Sequence, residues 1–331
     1  MQGIFYNSPR TLRIVDQLLL PHREEYITIT TVEQTYDVIK KMQIRGAPAI
    51  AIIAMLGLSV HLHHHPSDVV KVDEFLVLLS KSRPTAVNLF NAISELEGLI
   101  HKAEDKMTCI KTYAESLWKE DKILCDKIAS NGVHWITTNV GPEDIVAITI
   151  CNTGSLATAG CGTALGIIKK LHGTCLLNHC YFLETRPYNQ GARLTSVELL
   201  SENIPCTMIC DSMAGFLMKK LVSEHKNVVV LVGADRITEE CVFNKIGTLN
   251  LAILSQFYRI PFLVAAPSTS FAQNEKSEIE ERPANELKTI SGLFNNKDIV
   301  IVKIAPDALP VWNPAFDVVD RDLVTAVISE K

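Results

Sequence analysis

From Ile145 onward the chain repeats one unit: a short run rich in Val, Ile, Leu and Phe, a turn, then a helical stretch. The runs are Ile145–Ile150, Tyr181–Glu184, Thr207–Cys210, Val228–Val232, Phe262–Ala266 and Ile299–Ile304. Between most of them lie Leu156–Leu171, Leu194–Glu202 and Gly247–Tyr258, whose patterns predict helices. Near-continuous apolar strands alternating with helices need cover on both faces of their sheet. The rhythm therefore predicts an α/β fold on a parallel sheet. No GxGxxG follows the first strand, so a dinucleotide site has no support, and the sheet is Rossmann-like in topology only.

In such a sheet the carboxyl ends of the strands share one edge, where open α/β proteins bind ligands. That edge would collect Cys151-Asn152-Thr153, Glu184-Thr185-Arg186, Asp211-Ser212, Asp235-Arg236 and Pro267-Ser268-Thr269. Thr153 and Ser212 are equally well read as caps of following helices. Cys151, Arg186 and Asp235 are not, since Cys and Arg are poor caps and Asp235 precedes another charge. A thiol, a carboxylate and guanidiniums at one edge indicate a polar small-molecule site. Spacing alone does not name the reaction.

The first half carries a different rhythm. The chain's 331 residues suggest two domains: a small N-terminal α+β domain over 1–115, a bridging helix to about 140, and a Rossmann-like α/β domain over 141–331. Thr11 to Gln17 and Tyr26 to Thr30 read as strands, and Thr31-x-x-Gln34 as a capping box before the helical series Val32, Tyr36, Ile39 and Met42. Leu89, Ile93, Leu96 and Ile100 signal another helix, and the tract Lys106 to Ser130 is charged and helical in pattern. Ala47 to Val60 falls short of the ~20 residues of a membrane span and reads as a buried helix. His61, His63, His64 and His65, before Pro66, read as a solvated loop rather than a metal site, because no Cys or carboxylate sits at ligand spacing.

Lys+Arg of 32 against Asp+Glu of 37 gives a net charge of -5, and no long basic run appears. Nucleic acid and membrane surfaces are thereby disfavoured as the main partner. The first twenty residues lack an uninterrupted apolar core and make a poor secretory signal. Nine cysteines without a CxxC suggest a reduced, intracellular protein whose thiols are mostly buried filler.

Several linked motifs are more specific. Ile44-Arg45-Gly46-Ala47-Pro48-Ala49-Ile50, Ser82-Arg83-Pro84-Thr85-Ala86-Val87-Asn88 and the run Cys151-Asn152-Thr153-Gly154-Ser155-Leu156-Ala157-Thr158-Ala159-Gly160 form a first group. Glu184-Thr185-Arg186-Pro187, Gln190-Gly191-Ala192-Arg193-Leu194-Thr195, Gly233-Ala234-Asp235-Arg236-Ile237 and Asn244-Lys245-Ile246-Gly247-Thr248 complete it. Together, from about residue 4 to 329, they closely resemble the methylthioribose-1-phosphate isomerase family, relatives of the regulatory subunits of translation initiation factor 2B. The resemblance implies an aldose–ketose isomerase of methionine salvage that turns 5-methylthioribose 1-phosphate into 5-methylthioribulose 1-phosphate. It implies no metal or nucleotide cofactor, a homodimer, and residence in the cytoplasm and also the nucleus.

By the same resemblance Asp235 is the acid that protonates the ring oxygen, and Cys151 moves the C2 proton or stabilises the transition state. A protonated carboxyl near neutral pH would suit burial among apolar groups, and a thiolate would suit a helix start. A hydride shift from C2 to C1 is the competing route. Substrate binding falls to Arg45 with the Gly46-Ala47 backbone, Arg83, Gln190, Asn244 and Lys245. Arg193 and Arg236 read as structural partners of nearby carboxylates. Two alternatives stand beside this reading: a non-catalytic regulatory subunit of the initiation-factor type, and an isomerase of ribose 1,5-bisphosphate. Retention of Cys151 and Asp235 with Arg45 and Arg83 favours the enzyme. Three departures from the family pattern are Ile150 in place of His, an Arg236–Phe243 segment one residue short and without its Asn-Gly turn, and Val319-Asp320 in place of Thr-Pro.

Overall fold

The computed structural model describes residues 1–84, 86–272 and 279–331, and the chain divides into two units. Unit 1 comprises Met1–Leu18, Glu24–Asp126 and Thr153–Gly162; unit 2 comprises Leu19–Arg23, Lys127–Asn152 and Thr163–Lys331.

Unit 1 begins with an antiparallel sheet of β1 (Ile4–Asn7), β2 (Thr11–Val15) and β3 (Tyr26–Ile29). Helix α1 (Val32–Lys40) starts at the expected capping box: Thr31 accepts the Gln34 N–H, and the Gln34 side chain accepts the Thr31 N–H. Helix α2 runs Ala47–His64, and every residue from Ala49 to Leu62 is buried. It is long and apolar enough to cross a membrane by length and composition, yet it forms the centre of this unit's core. Around it lie α3 (Val72–Ser80), α4 (Val87–Ile100) and the first part of α5 (Lys106–Asn139).

The histidines correct one expectation. His61, His63 and His64 form the last turn of α2, not a loop, because the helix runs past Val60 until Pro66 stops it. His61 is buried, with Nε2 3.3 Å from Asp68 Oδ2, and burial pulls its pKa down. Among the described residues no cluster of His, Cys, Asp and Glu is fit to hold a metal.

Unit 2 holds a six-stranded sheet of β4 (Ile145–Thr149), β5 (Leu177–Leu183), β6 (Cys206–Ile209), β7 (Asn227–Val232), β10 (Phe262–Ala265) and β14 (Ala326–Ile328). All neighbours are parallel, in the order β14-β10-β7-β4-β5-β6. Side chains alternate between two separate cores. Val146, Ile148, Val228, Val230, Val232, Phe262 and Val264 pack with α8 (Ala214–Ser223) and α9 (Thr248–Tyr258). Ile145, Ala147, Val229, Leu231, Leu263 and Ala265 pack with the end of α5, α6 (Ala164–Gly173) and α7 (Ser196–Ser201). This double cover is the burial that the β-branched runs required.

Two strand-and-helix expectations differ. Ile299–Ile304 forms a strand but not one of the parallel sheet: β12 (Asp298–Lys303) pairs antiparallel with β11 (Thr289–Phe294), which follows α10 (Ala284–Lys288). The sixth sheet strand is β14, a three-residue segment too short to register as a run. Leu156–Leu171 is helical only from Ala164. Residues 154–162 instead form a loop closed by a Gly154–Gly162 bridge, and this loop belongs to unit 1. A second small sheet joins β8 (Arg236–Ile237), β9 (Cys241–Lys245) and β13 (Phe316–Asp320).

Candidate active site

The order β6-β5-β4-β7-β10-β14 places the first strand of the unit at the centre, with successive strands added first to one side and then to the other. The crevice outside such a switch point is where ligands bind in open α/β sheets. The switch point here lies between β4 and β7, paired in register at Ile148 and Val230. Cys151 follows the first of these strands and Asp235 the second.

Cys151 is half-buried, with a left-handed φ of 67°. Its N–H donates to Thr185 Oγ1 at 2.8 Å, and its carbonyl accepts from Thr195 Oγ1 at 2.5 Å. Thr195 lies in the π-turn Gly191–Thr195, which packs so tightly on β5 that a Cβ at Gly191 would stand 1.7 Å from the Leu183 carbonyl oxygen. Asn152 donates to Glu198 Oε1 at 2.9 Å. Glu198 is fully buried, and its other oxygen lies 2.8 Å from Lys169 Nζ, which also meets Glu202 at 2.7 Å. Burial alone would lower the Lys169 pKa, but the two carboxylates hold it above its ordinary value.

Asp235 is half-buried in the link between β7 and β8, and its N–H donates to the Phe243 carbonyl at 2.9 Å. The shortened Arg236–Phe243 segment is an antiparallel ribbon, Arg236 opposite Phe243 and Ile237 opposite Val242. Thr238 replaces the missing Asn-Gly turn: its hydroxyl accepts the Cys241 N–H at 3.0 Å, and its own N–H donates to the Cys241 carbonyl at 2.8 Å. The ribbon continues into β9, where Asn244 donates to Thr248 Oγ1 at 3.0 Å and Lys245 Nζ to the Ala315 carbonyl at 2.9 Å. Both residues are buried. Val319 and Asp320 prolong β13 opposite Val242 and Cys241, pairing that a proline there would interrupt. Ile150 is buried, filling the space into which a side chain at Gly247 would project.

The start of α9 already holds an anion, since Asp317 Oδ2 accepts the N–H groups of Gly247 and Leu249 at 2.7 and 2.9 Å. Gln190, buried at the start of the π-turn, completes the expected residues of unit 2.

In unit 1, Arg45 is half-buried just before α2. Gly46 has φ 105°, and a Cβ there would lie 2.4 Å from the Ala157 carbonyl oxygen, so the 154–162 loop seats directly on the glycine beside Arg45 and Ala47. Ala49 donates its N–H to the same Ala157 carbonyl at 3.2 Å. Asp121, buried in α5, anchors the loop by accepting the Ala159 N–H at 2.6 Å, and burial pushes its carboxyl up to about 6. Arg83 is half-buried in the turn before α4, where its carbonyl accepts the Ala86 N–H at 3.1 Å; Thr85 of that motif lies outside the described residues.

Three expectations about side chains need correction. Thr153 and Ser212 cap no helix: α6 begins at Ala164, and α8 follows Met213 without a side-chain cap. Arg186 turns its guanidinium onto the carbonyls of Pro187 and Leu287, so it supports a chain crossing rather than offering an open charge. Arg236 lies over the Phe243 ring at 4.1 Å instead of against a carboxylate. Arg193 donates to the carbonyls of Tyr188 and Leu20. Spacing assigns no role to Thr195 or Asp317, because their partners lie 44 and 70 residues away.

Residues 43–331 match the model of the Initiation factor 2 subunit family. The chain is 43% identical over 366 residues to methylthioribose-1-phosphate isomerase of Podospora anserina, covering 100% of this chain and 92% of that one. The crystal structure of 5-methylthioribose 1-phosphate isomerase from Pyrococcus horikoshii OT3 is 31% identical, with a TM-score of 0.87 over 99% of this chain and 91% of that one. A crystal structure described as translation initiation factor eIF-2B, subunit delta, from A. fulgidus is 35% identical, with a TM-score of 0.82 over 100% and 94%. The chain belongs to the Initiation factor 2 subunit family, and within it to the methylthioribose-1-phosphate isomerases.

Proposed function

We propose that this protein is an aldose–ketose isomerase converting 5-methylthioribose 1-phosphate to 5-methylthioribulose 1-phosphate, a step of methionine salvage. One observation carries the reading: a thiol and a carboxyl follow the two strands that flank the switch point, in a chain whose full-length relatives bear that enzyme's name.

The substrate carries phosphate on its anomeric oxygen, so it cannot open to a free aldehyde. The Asp235 carboxyl gives its proton to the ring oxygen as the C1–O bond breaks. The Cys151 thiolate takes hydrogen from C2 as a proton, and the freed electron pair forms the C1–C2 double bond. The resulting thiol exchanges its proton with water and then protonates the enol at C1, while the C2 hydroxyl becomes the carbonyl and returns its proton to the Asp235 carboxylate. C1 is reduced as C2 is oxidised, and no external electron carrier is needed. In unit 2, Gln190, Asn244 and Lys245 are the proposed substrate-binding groups; in unit 1 they are Arg45, the Gly46–Ala47 backbone and Arg83. Fixed guanidiniums and close backbone N–H groups suit a phosphate ester despite the net charge of -5.

The assembly we propose is a homodimer. Phe216 of α8 and Phe257 of α9 are 78% and 76% exposed, and Ile253 is exposed on the same helix as Phe257, an apolar surface that a second copy would cover. Light scattering should give twice the 36.7 kDa of the chain, and a monomer would overturn that assignment.

Incubation with 5-methylthioribose 1-phosphate, followed by NMR, tests the function. The ketose should accumulate, with ribose 1,5-bisphosphate converted far more slowly. A folded protein that converts neither substrate would move the reading to the regulatory branch. Substrate deuterated at C2 tests the thiolate route: deuterium should be lost to water, whereas its retention at C1 would assign a hydride shift.

A further inference from the structure

Cys151 and Thr185 both hold left-handed backbone, with φ of 67° and 65°. Side-chain-bearing residues seldom adopt it, and a β-branched threonine is among those least suited. Such strain persists only where the surroundings over-determine it. Here those surroundings are visible. The Asp211 carboxylate accepts two consecutive N–H groups, those of Thr185 at 2.8 Å and Arg186 at 2.7 Å. The turn leaves the Thr185 side chain fully buried. There Oγ1 donates to the Leu183 carbonyl at 3.0 Å and accepts the Cys151 N–H at 2.8 Å. With the Cys151 carbonyl bonded to Thr195 Oγ1, both peptide groups flanking its Cα are fixed, and tetrahedral geometry then sets where Cβ points.

We propose that Thr185 is a positioning residue for Cys151, aiming the thiol through the Cys151 peptide N–H, and that Asp211 holds Thr185 in the turn that makes this reach. The inference rests on the catalytic role proposed for Cys151. A hydroxyl is required at 185 because one group both donates to Leu183 and accepts from Cys151. Serine keeps that pair of bonds, valine keeps the shape without them, and glycine removes both hydroxyl and strain.

The test measures kcat and KM for Thr185→Ser, Thr185→Val and Thr185→Gly, and the rate at which iodoacetamide alkylates Cys151, read by peptide mass. T185S should stay within a few-fold of the parent. T185V and T185G should lose on the order of 10- to 100-fold in kcat at a steady KM, the cost of a misplaced reacting group, with a changed Cys151 alkylation rate. If T185V fails to fold, T185G against T185S decides, since glycine suits this backbone. A folded T185G with parental kcat, or a T185S as impaired as T185G, overturns the proposal. Cys151→Ser in the same assay separates the two levels: its normal turnover would remove the catalytic role itself. An inactive C151S beside a fully active T185G would remove only the positioning role.

Discussion

Cys151 and Asp235 follow adjacent strands, yet the chain holds them in different ways. Cys151 sits in strained backbone gripped by hydroxyls from residues 34 and 44 positions away. Asp235 sits in a link whose N–H bonds to the local ribbon of β8 and β9, eight residues on. The thiol's direction is thus a tertiary property, and the backbone that bears the carboxyl travels with a local hairpin. That contrast explains why the shortened 236–243 segment is absorbed: Thr238 closes the ribbon, and the bond from Asp235 to Phe243 persists.

The largest expected effect lies at the two groups themselves. Asp235→Asn and Cys151→Ser should each lower kcat by at least ~100-fold without unfolding, the lower end for a lost acid–base group. Near-normal turnover in either would remove its assigned role.

The tertiary side of the contrast is sharpened at Glu198. Glu198→Ala leaves Lys169 to Glu202 alone and removes the shorter hydrogen bond of Asn152, the neighbour of Cys151, and should cost about 1–3 kcal/mol of stability, as for lost charge-assisted hydrogen bonds. Denaturant unfolding checks this, and an unchanged midpoint would mean that the Cys151 side is not held through Asn152.

Asp121 offers a pH-dependent test in unit 1. Its folded carboxyl is raised to about 6, above the ordinary value, so between roughly pH 4 and 6 the folded state keeps a proton that the unfolded chain has released. Stability from this group is therefore present at low pH and lost as pH rises through that window. Relative to Asp121→Asn, the protein should lose up to about 3 kcal/mol from pH 4 to 7, read by denaturant unfolding. Parallel pH curves for the two would contradict it. Chelators, at the bottom of the scale, should leave turnover unchanged; a loss reversed by zinc would reopen the His61–His65 segment as a metal site.

The contrast also tells what the sequence could disclose. Five of the six sheet strands were legible, and for β4, β7 and β10 the reason is that a strand buried on both faces needs an unbroken apolar run. β14, with three residues, carries too little pattern. Residues 154–162 mimic a helix in their Ala and Leu content, but Gly154, Gly160 and Gly162 let them turn back onto Gly46. Asp235 was placed by motif and strand end together. The grip on Cys151 was not legible, since no local spacing links residue 151 to Thr185, Thr195 or Asp211.

The central claim is that the two strand ends act on one substrate, and the double variant tests it most directly. Turnover of 5-methylthioribose 1-phosphate should be measured for C151S, D235N and both together, each confirmed folded. Residues that act as a unit lose little more together than the worse one alone, and that is the expected result. Losses that multiply fully in the double variant, or a double variant that still turns over at the parental rate, would contradict it.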